Sequence, residues 1–168
     1  MKSSYEVRAR KFAQMIYPFI TGCTTVSDYR NAVDNFNVVF HRKVRVAWGQ
    51  TRVVLITSDY VLKIDYGKKG NRWGTCEDER KAYCKAVHDG FAHLFAKTTP
   101  YMVNELVFYI MPRIDRIGAE YNGWDDVYEY VDGDDCEYLF DNFRDLHYEN
   151  FGWKNQHPVV VDYACLER

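Results

Sequence analysis

The chain has 168 residues, enough for one domain or one domain with an appendage, and 47% of them are hydrophobic and 17% aromatic, so a real core can form. Charged residues make up 27% with no long single-sign run, which argues against global disorder. A net charge of −2 and a pI near 6.2 lack the basic face that nucleic-acid binding needs, and no apolar run reaches the ~18 residues of a membrane span, so neither partner is expected.

The N-terminus, "MKSSYEVRARKFAQMIYPFITGC", is apolar only at intervals and lacks a secretory core. Phe12, Met15, Ile16, Phe19 and Ile20 recur at helical spacing, which predicts a helix near residues 4–20. Val26, Tyr29, Val33 and Phe36 predict a second helix, with Thr25 as its N-cap and Asp28 in its first turn. Both are read as a packing appendage, residues 1–37.

"VRVAWGQTRVVLITSDYVLKIDY" is rich in β-branched residues and broken at "WGQT" and "TSD". It predicts three antiparallel strands near 43–48, 51–57 and 60–66, followed by the polar loop "GKKGNRWG". "CEDERKAYCKAVH" then reads as a helix over about 76–88, acidic at its start and ended by Gly90. "YMVNELVFYIM" reads as two strands turning at Asn104-Glu105, with Pro112 ending the second. The region 124–141 is weakly helical and interrupted by Gly133, and after "RDLHYENFGW" the turn "KNQH" leads into a buried strand, "PVVVD". The fold class expected is α+β. Five scattered cysteines (Cys23, Cys76, Cys84, Cys136 and Cys165) form no C-x-x-C pair, which fits reduced thiols in a cytoplasm and no structural zinc.

Several polar residues stand where chemistry would need them. Lys63 shares one strand face with Val61 and Asp65; the plain alternative is a solvated strand lysine. Glu79 lines up with Tyr83 and Val87 on the helix face expected to be buried, where a carboxylate needs a partner such as a lysine of the neighbouring sheet. The alternative there is compensation of the helix dipole. Asp145 and Asn150 lie in a polar loop, and Asp162 follows three valines. Asp145 can accept a proton from a hydroxyl, while Asn150 and Asp162 offer the oxygen donors that suit Mg²⁺. Local turn hydrogen bonds and capping of a strand end are the ordinary alternatives.

In this order the residues resemble the protein kinase-like superfamily, whose signature runs from a glycine-rich loop through a third-strand lysine and a helix glutamate to H-R-D-L-x-x-x-N and D-F-G. "VLKI" is similar to the lysine strand, "EDERKAY" to the glutamate helix, "FRDLHYEN" to the catalytic loop, "VVVDYA" to the strand into D-F-G, and "FYIMPRID" to the hinge that meets adenine. The resemblance implies a small antiparallel-sheet N-lobe with one helix over 38–111 and a minimal helical C-lobe over 112–168. It implies that Lys63, Val61, Gly49 and Met111 contact ATP, that Glu79 positions Lys63, that Asp145 is the base, and that Asn150 and Asp162 hold Mg²⁺. The departures are equally specific. Gly49 is the lone glycine of the hairpin, Phe143 stands for the histidine of H-R-D, Ala164 stands for the glycine of D-F-G, and the sequence ends at Arg168, before any peptide-binding helices. The chain thus resembles the short, C-terminally truncated kinase-like proteins of bacteriophages, which implies a cytoplasmic location, in the host if phage-encoded.

Two functions follow as expectations. One is a minimal phosphotransferase that uses Mg-ATP on a protein or small-molecule hydroxyl. The other is a kinase-like binding protein, a pseudokinase, that docks on and modulates a host partner through an aromatic surface including Trp48, Trp124 and Trp153. A homodimer is expected wherever an apolar face stays uncovered.

Overall fold

The computed structural model describes residues 4–49, 51–66, 74–116, 130–143, 146 and 148–162, which form two compact units of an α+β protein. The first unit comprises Met1–Cys76 and Thr98–Arg113, the second Glu77–Lys97 and Ile114–Arg168. Among the described residues no helix is long and apolar enough to cross a membrane.

The first unit opens with helices α1 (Ser4–Ile20) and α2 (Val26–Phe40). A capping box starts α2: the Asp28 N–H donates to Thr25 Oγ1 at 3.2 Å, and the Thr25 N–H donates to the Asp28 carboxylate at 2.8 Å. These bonds hold the Asp28 carboxyl below its ordinary pKa. Strands β1 (Arg45–Trp48), β2 (Arg52–Ile56), β3 (Tyr60–Asp65), β4 (Thr99–Val103) and β5 (Leu106–Pro112) form one antiparallel sheet in the order β1-β2-β3-β5-β4. Alternation sends Val53, Leu55, Leu62, Ile64, Phe108 and Ile110 to one face, where they share a core with Ile16, Ile20, Val33 and Phe36 of the helices. Phe36 meets Phe12 and Phe19 edge-on, both at 5.4 Å. Each such side chain contributes about 1.5–3 kcal/mol by leaving water, so the helices hold the sheet rather than decorate it.

Helix α3 (Cys76–Asp89) takes its first N–H partner from the sheet: Cys76 N–H donates to Asp65 at the end of β3, 2.9 Å from Oδ1. From Glu77 onward α3 belongs to the second unit. It ends at Gly90, whose φ of +92° lets the Phe91 N–H return to the Ala86 carbonyl at 2.8 Å. The buried face of α3 carries Cys76, Glu79, Ala82 and Ala86, whereas Val87 is 52% exposed. The expected face is therefore rotated, because small alanines and not Val87 line the buried side.

The second unit continues through a 3-10 turn (Ala92–Leu94), β6 (Asp115–Arg116), helix α4 (Gly133–Asn142), a second 3-10 turn (Tyr148–Asn150), and the hairpin of β7 (Phe151–Lys154) and β8 (His157–Val160). Gly133 is the first residue of α4, Tyr130–Asp132 before it are not helical, and the expected helical stretch 124–129 lies outside the described residues. The pair β7–β8 turns at Asn155 and Gln156, both left-handed at φ 52° and 68°, as a tight two-residue turn demands. Strand β6 adds to β7, and the second sheet runs β6-β7-β8. Phe95 joins this unit together: its ring lies 5.2 Å from Phe143 and 6.5 Å from Tyr138, and its backbone bridges Val160.

Candidate functional site

Lys63 is not a solvated lysine. It is 6% exposed at the middle of β3, on the sheet face opposite α1 and α2. Register places it between Val54 of β2 and Tyr109 of β5. Two residues earlier on the same face, Val61 lies between Ile56 and Met111. The structure therefore brings together three of the residues read as nucleotide contacts: Lys63, Val61 and Met111. They form a mainly apolar surface around the Lys63 ammonium, with the register neighbours Arg52 and Asp65 on the same face at its end. That composition suits a ligand with a flat apolar body and a charged end.

Gly49 sits at the end of this sheet, but its backbone is engaged. Its N–H donates to the Arg52 carbonyl at 2.9 Å and its carbonyl accepts from the Tyr66 hydroxyl at 2.9 Å. A Cβ here would meet only Arg52 Cγ, at 3.9 Å, so neither sterics nor a spare donor calls for glycine at this position.

In the second unit, Glu79 is fully buried on α3. A carboxylate taken out of water needs matching charge or hydrogen bonds, so dipole compensation alone does not account for it. Its neighbours Glu77 and Asp78 do the surface work: Glu77 holds Arg80 through bonds of 2.6 and 2.8 Å, and Asp78 lies 3.8 Å from Lys81.

Asn150 and Asp162 are brought together by the β7–β8 hairpin. Phe151 pairs with Val160, and one step outward the Val161 N–H donates to the Asn150 carbonyl at 2.7 Å. Both side chains are half-buried at the open end of the hairpin. Strand β7, which the sequence pattern does not mark as a strand, supplies this juxtaposition. An amide oxygen and a carboxylate are hard donors, and Mg²⁺ characteristically takes one or two protein oxygens and completes its shell with phosphate and water. The donor set fits that ion, although among the described residues no three of His, Cys, Asp and Glu cluster. Asp145 lies outside the described residues; Phe143, just before it, is 5% exposed against Phe95.

No family model matches the chain, and no curated protein matches it. Among solved structures it is similar to WbdD co-crystallised with the kinase inhibitor LY294002, at 15% identity and a TM-score of 0.36 over 71% of this chain and 32% of that one. It is also similar to a medium-resolution structure of the bifunctional kinase-methyltransferase WbdD, at 16% identity and a TM-score of 0.34 over 70% of this chain and 30% of the other. The chain thus spans about a third of the length of the solved chains it matches.

Proposed function

We propose that the protein is a minimal kinase-like phosphotransferase that uses Mg-ATP to phosphorylate a hydroxyl of a protein or small molecule. The observation that carries the reading is Lys63: a buried ammonium on the third strand of a five-stranded antiparallel sheet, framed by Val61 and Met111. A buried glutamate on the next helix, and an asparagine-aspartate pair joined by a hairpin, follow in the order that phosphoryl transfer uses. In this reading Lys63 holds the α- and β-phosphates and Glu79 orients Lys63. Asn150 and Asp162 hold Mg²⁺, which neutralises charge on the phosphates. Asp145 aligns the acceptor hydroxyl and takes its proton as the oxygen bonds to the γ-phosphorus and the bond to ADP breaks. Most of the rate gain comes from positioning and electrostatic stabilisation.

Mg-ATP at about a hundred times its Kd adds about 2.7 kcal/mol of stability, roughly 5–10 °C in melting temperature for a chain of this size. No shift at millimolar Mg-ATP would overturn the proposal. Transfer of label from γ-labelled ATP should be lost in Asp145→Asn; transfer that survives would remove Asp145 from the role of base.

A second reading, a kinase-like binding protein, is favoured by Trp48, which is 49% exposed at the end of β1 with the Arg30 guanidinium 4.5 Å above its ring. That reading expects no label transfer, with or without a melting shift, and partner capture that Trp48→Ala abolishes.

A further inference from the structure

The first unit carries a cavity of about 420 Å³ that the proposed phosphotransferase does not use. Its wall residue Tyr60 shares the helix-covered sheet face with Leu62 and Ile64, opposite the face that carries Lys63. Three separate segments supply its charge: Arg8 and Lys11 from α1, Arg42 and Lys43 from the connection between α2 and β1, and Asp59 from the turn between β2 and β3. Four cations thus surround a single carboxylate. That carboxylate is committed to Arg8 at 2.6 Å, and hydrogen bonding from Ser58 with the charge of Arg8 keeps its pKa low. Among the described residues no carboxylate pairs with Lys11, Arg42 or Lys43. The floor is apolar, with Phe12, Val44 and Tyr60 each under a tenth exposed and Met15 at the edge.

The walls are held in place without any ligand. His41 ends α2 in the left-handed region at φ 49°, and the Arg42 N–H donates to the Asn37 carbonyl at 3.1 Å. The Asn37 amide clasps Val44 from both sides, donating to its carbonyl at 2.8 Å and accepting from its N–H at 2.9 Å. Across the cavity the Thr57 hydroxyl donates to the Tyr60 carbonyl at 2.7 Å, and Arg113 ties the same turn through the carbonyls of Thr57 and Asp59. Cations gathered on fixed backbone repel one another, and a bound anion offsets that repulsion beyond what solvent screening does. With Arg8 held by Asp59, the Arg42 guanidinium offers paired donors of the geometry that phosphate accepts.

We propose that this cavity binds a small phosphate ester, its dianionic phosphoryl group among Arg42, Lys43 and Lys11 and its apolar body on Phe12, Val44 and Tyr60. The site is independent of the nucleotide reading, and either can fail alone. Pre-ordered walls lower the cost of binding, and a cavity of this size accepts a one-ring ligand.

The test is titration of the intact ¹⁵N-labelled protein with phenyl phosphate and, separately, inorganic phosphate, following amide and guanidinium resonances. The expected result is a perturbation centred on residues 41–44 and 57–60 and the Arg8 and Arg42 side chains, with phenyl phosphate binding at least severalfold more tightly. The Arg42→Glu/Lys43→Glu variant should weaken binding tenfold or more, and Lys11→Gln should weaken it severalfold with the amide spectrum otherwise unchanged. Perturbations centred elsewhere, equal binding of the two probes, or undiminished binding in both variants would each overturn the proposal.

Discussion

Lys63 shows how much one position decides. A lysine that is 6% exposed loses most of its hydration, a loss that still costs on the order of several kcal/mol after relaxation. A lysine held there, between Val54 and Tyr109, therefore needs matching charge or hydrogen bonds. Methionine has a similar length and no charge. Lys63→Met should accordingly keep the circular dichroism spectrum of the wild type while losing the melting shift with Mg-ATP. An unchanged shift would detach Lys63 from nucleotide binding. The strand and its two faces were readable from alternation, but the burial of Lys63 was not, because a lysine on an alternating strand has the same pattern whether or not something covers it. The cationic cavity was unreadable for a different reason: its charges come from three segments that are distant in sequence and become neighbours only through the packing of α1 on the sheet.

At the level of elements, the hairpin β7–β8 turns two scattered polar residues into a pair. Its edge strand β6 approaches so closely that a Cβ on Gly152 would fall 2.7 Å from the Asp115 carbonyl oxygen and 2.7 Å from Ile114 Cγ2. Backbone cannot yield cheaply, so Gly152→Ala should cost about 1–3 kcal/mol, the usual range for overpacking, and shift the denaturant midpoint accordingly. A midpoint equal to that of wild type would show that β6 is free to move aside. The long periodic elements, α1, α2 and the strands β1 to β3, were predictable because large apolar side chains mark one face throughout. Two readings failed where that marking fades. In α3 alanines line the buried side, so counting bulky residues pointed to Val87. In β7 the sequence "FGWK" is short and contains glycine, and only its pairing with "HPVV" makes it a strand.

For the molecule as a whole, a contact between α3 and α4 of the second unit makes stability sensitive to pH at both extremes. Asp89 accepts from Lys85 and, at 3.1 Å, from the Tyr138 hydroxyl, and lies 3.0 Å from the His88 ring. Hydrogen bonds from His88, Lys85 and Tyr138 lower the Asp89 carboxyl to about 2. Burial first, then the bond to Asp89, pushes the Tyr138 phenol up to about 12. A lowered carboxyl stabilises the fold above its unfolded pKa of about 4 and loses that contribution as pH falls through about 2. A raised phenol stabilises below its unfolded pKa of about 10 and loses that contribution as pH climbs through about 12. Denaturation curves taken across both limits should show both declines, and Tyr138→Phe should flatten the alkaline one in particular; an unaltered alkaline limb would mean another group governs it.

The bond that the Cys76 N–H donates to Asp65, with the Thr51 hydroxyl donating to the Gly74 carbonyl at 3.1 Å, clamps the two ends of the connection between β3 and α3. The length of chain between such clamps is thermodynamically cheap, since doubling it costs only about 0.6 kcal/mol. A reporter or a protease cleavage sequence of about a dozen Gly/Ser-rich residues inserted between these clamps should therefore lower the melting temperature by no more than a few degrees. A larger drop would mean that this connection contributes contacts of its own. The joint that starts a helix thereby also gives the experimenter an internal handle on the protein, with both termini left untouched.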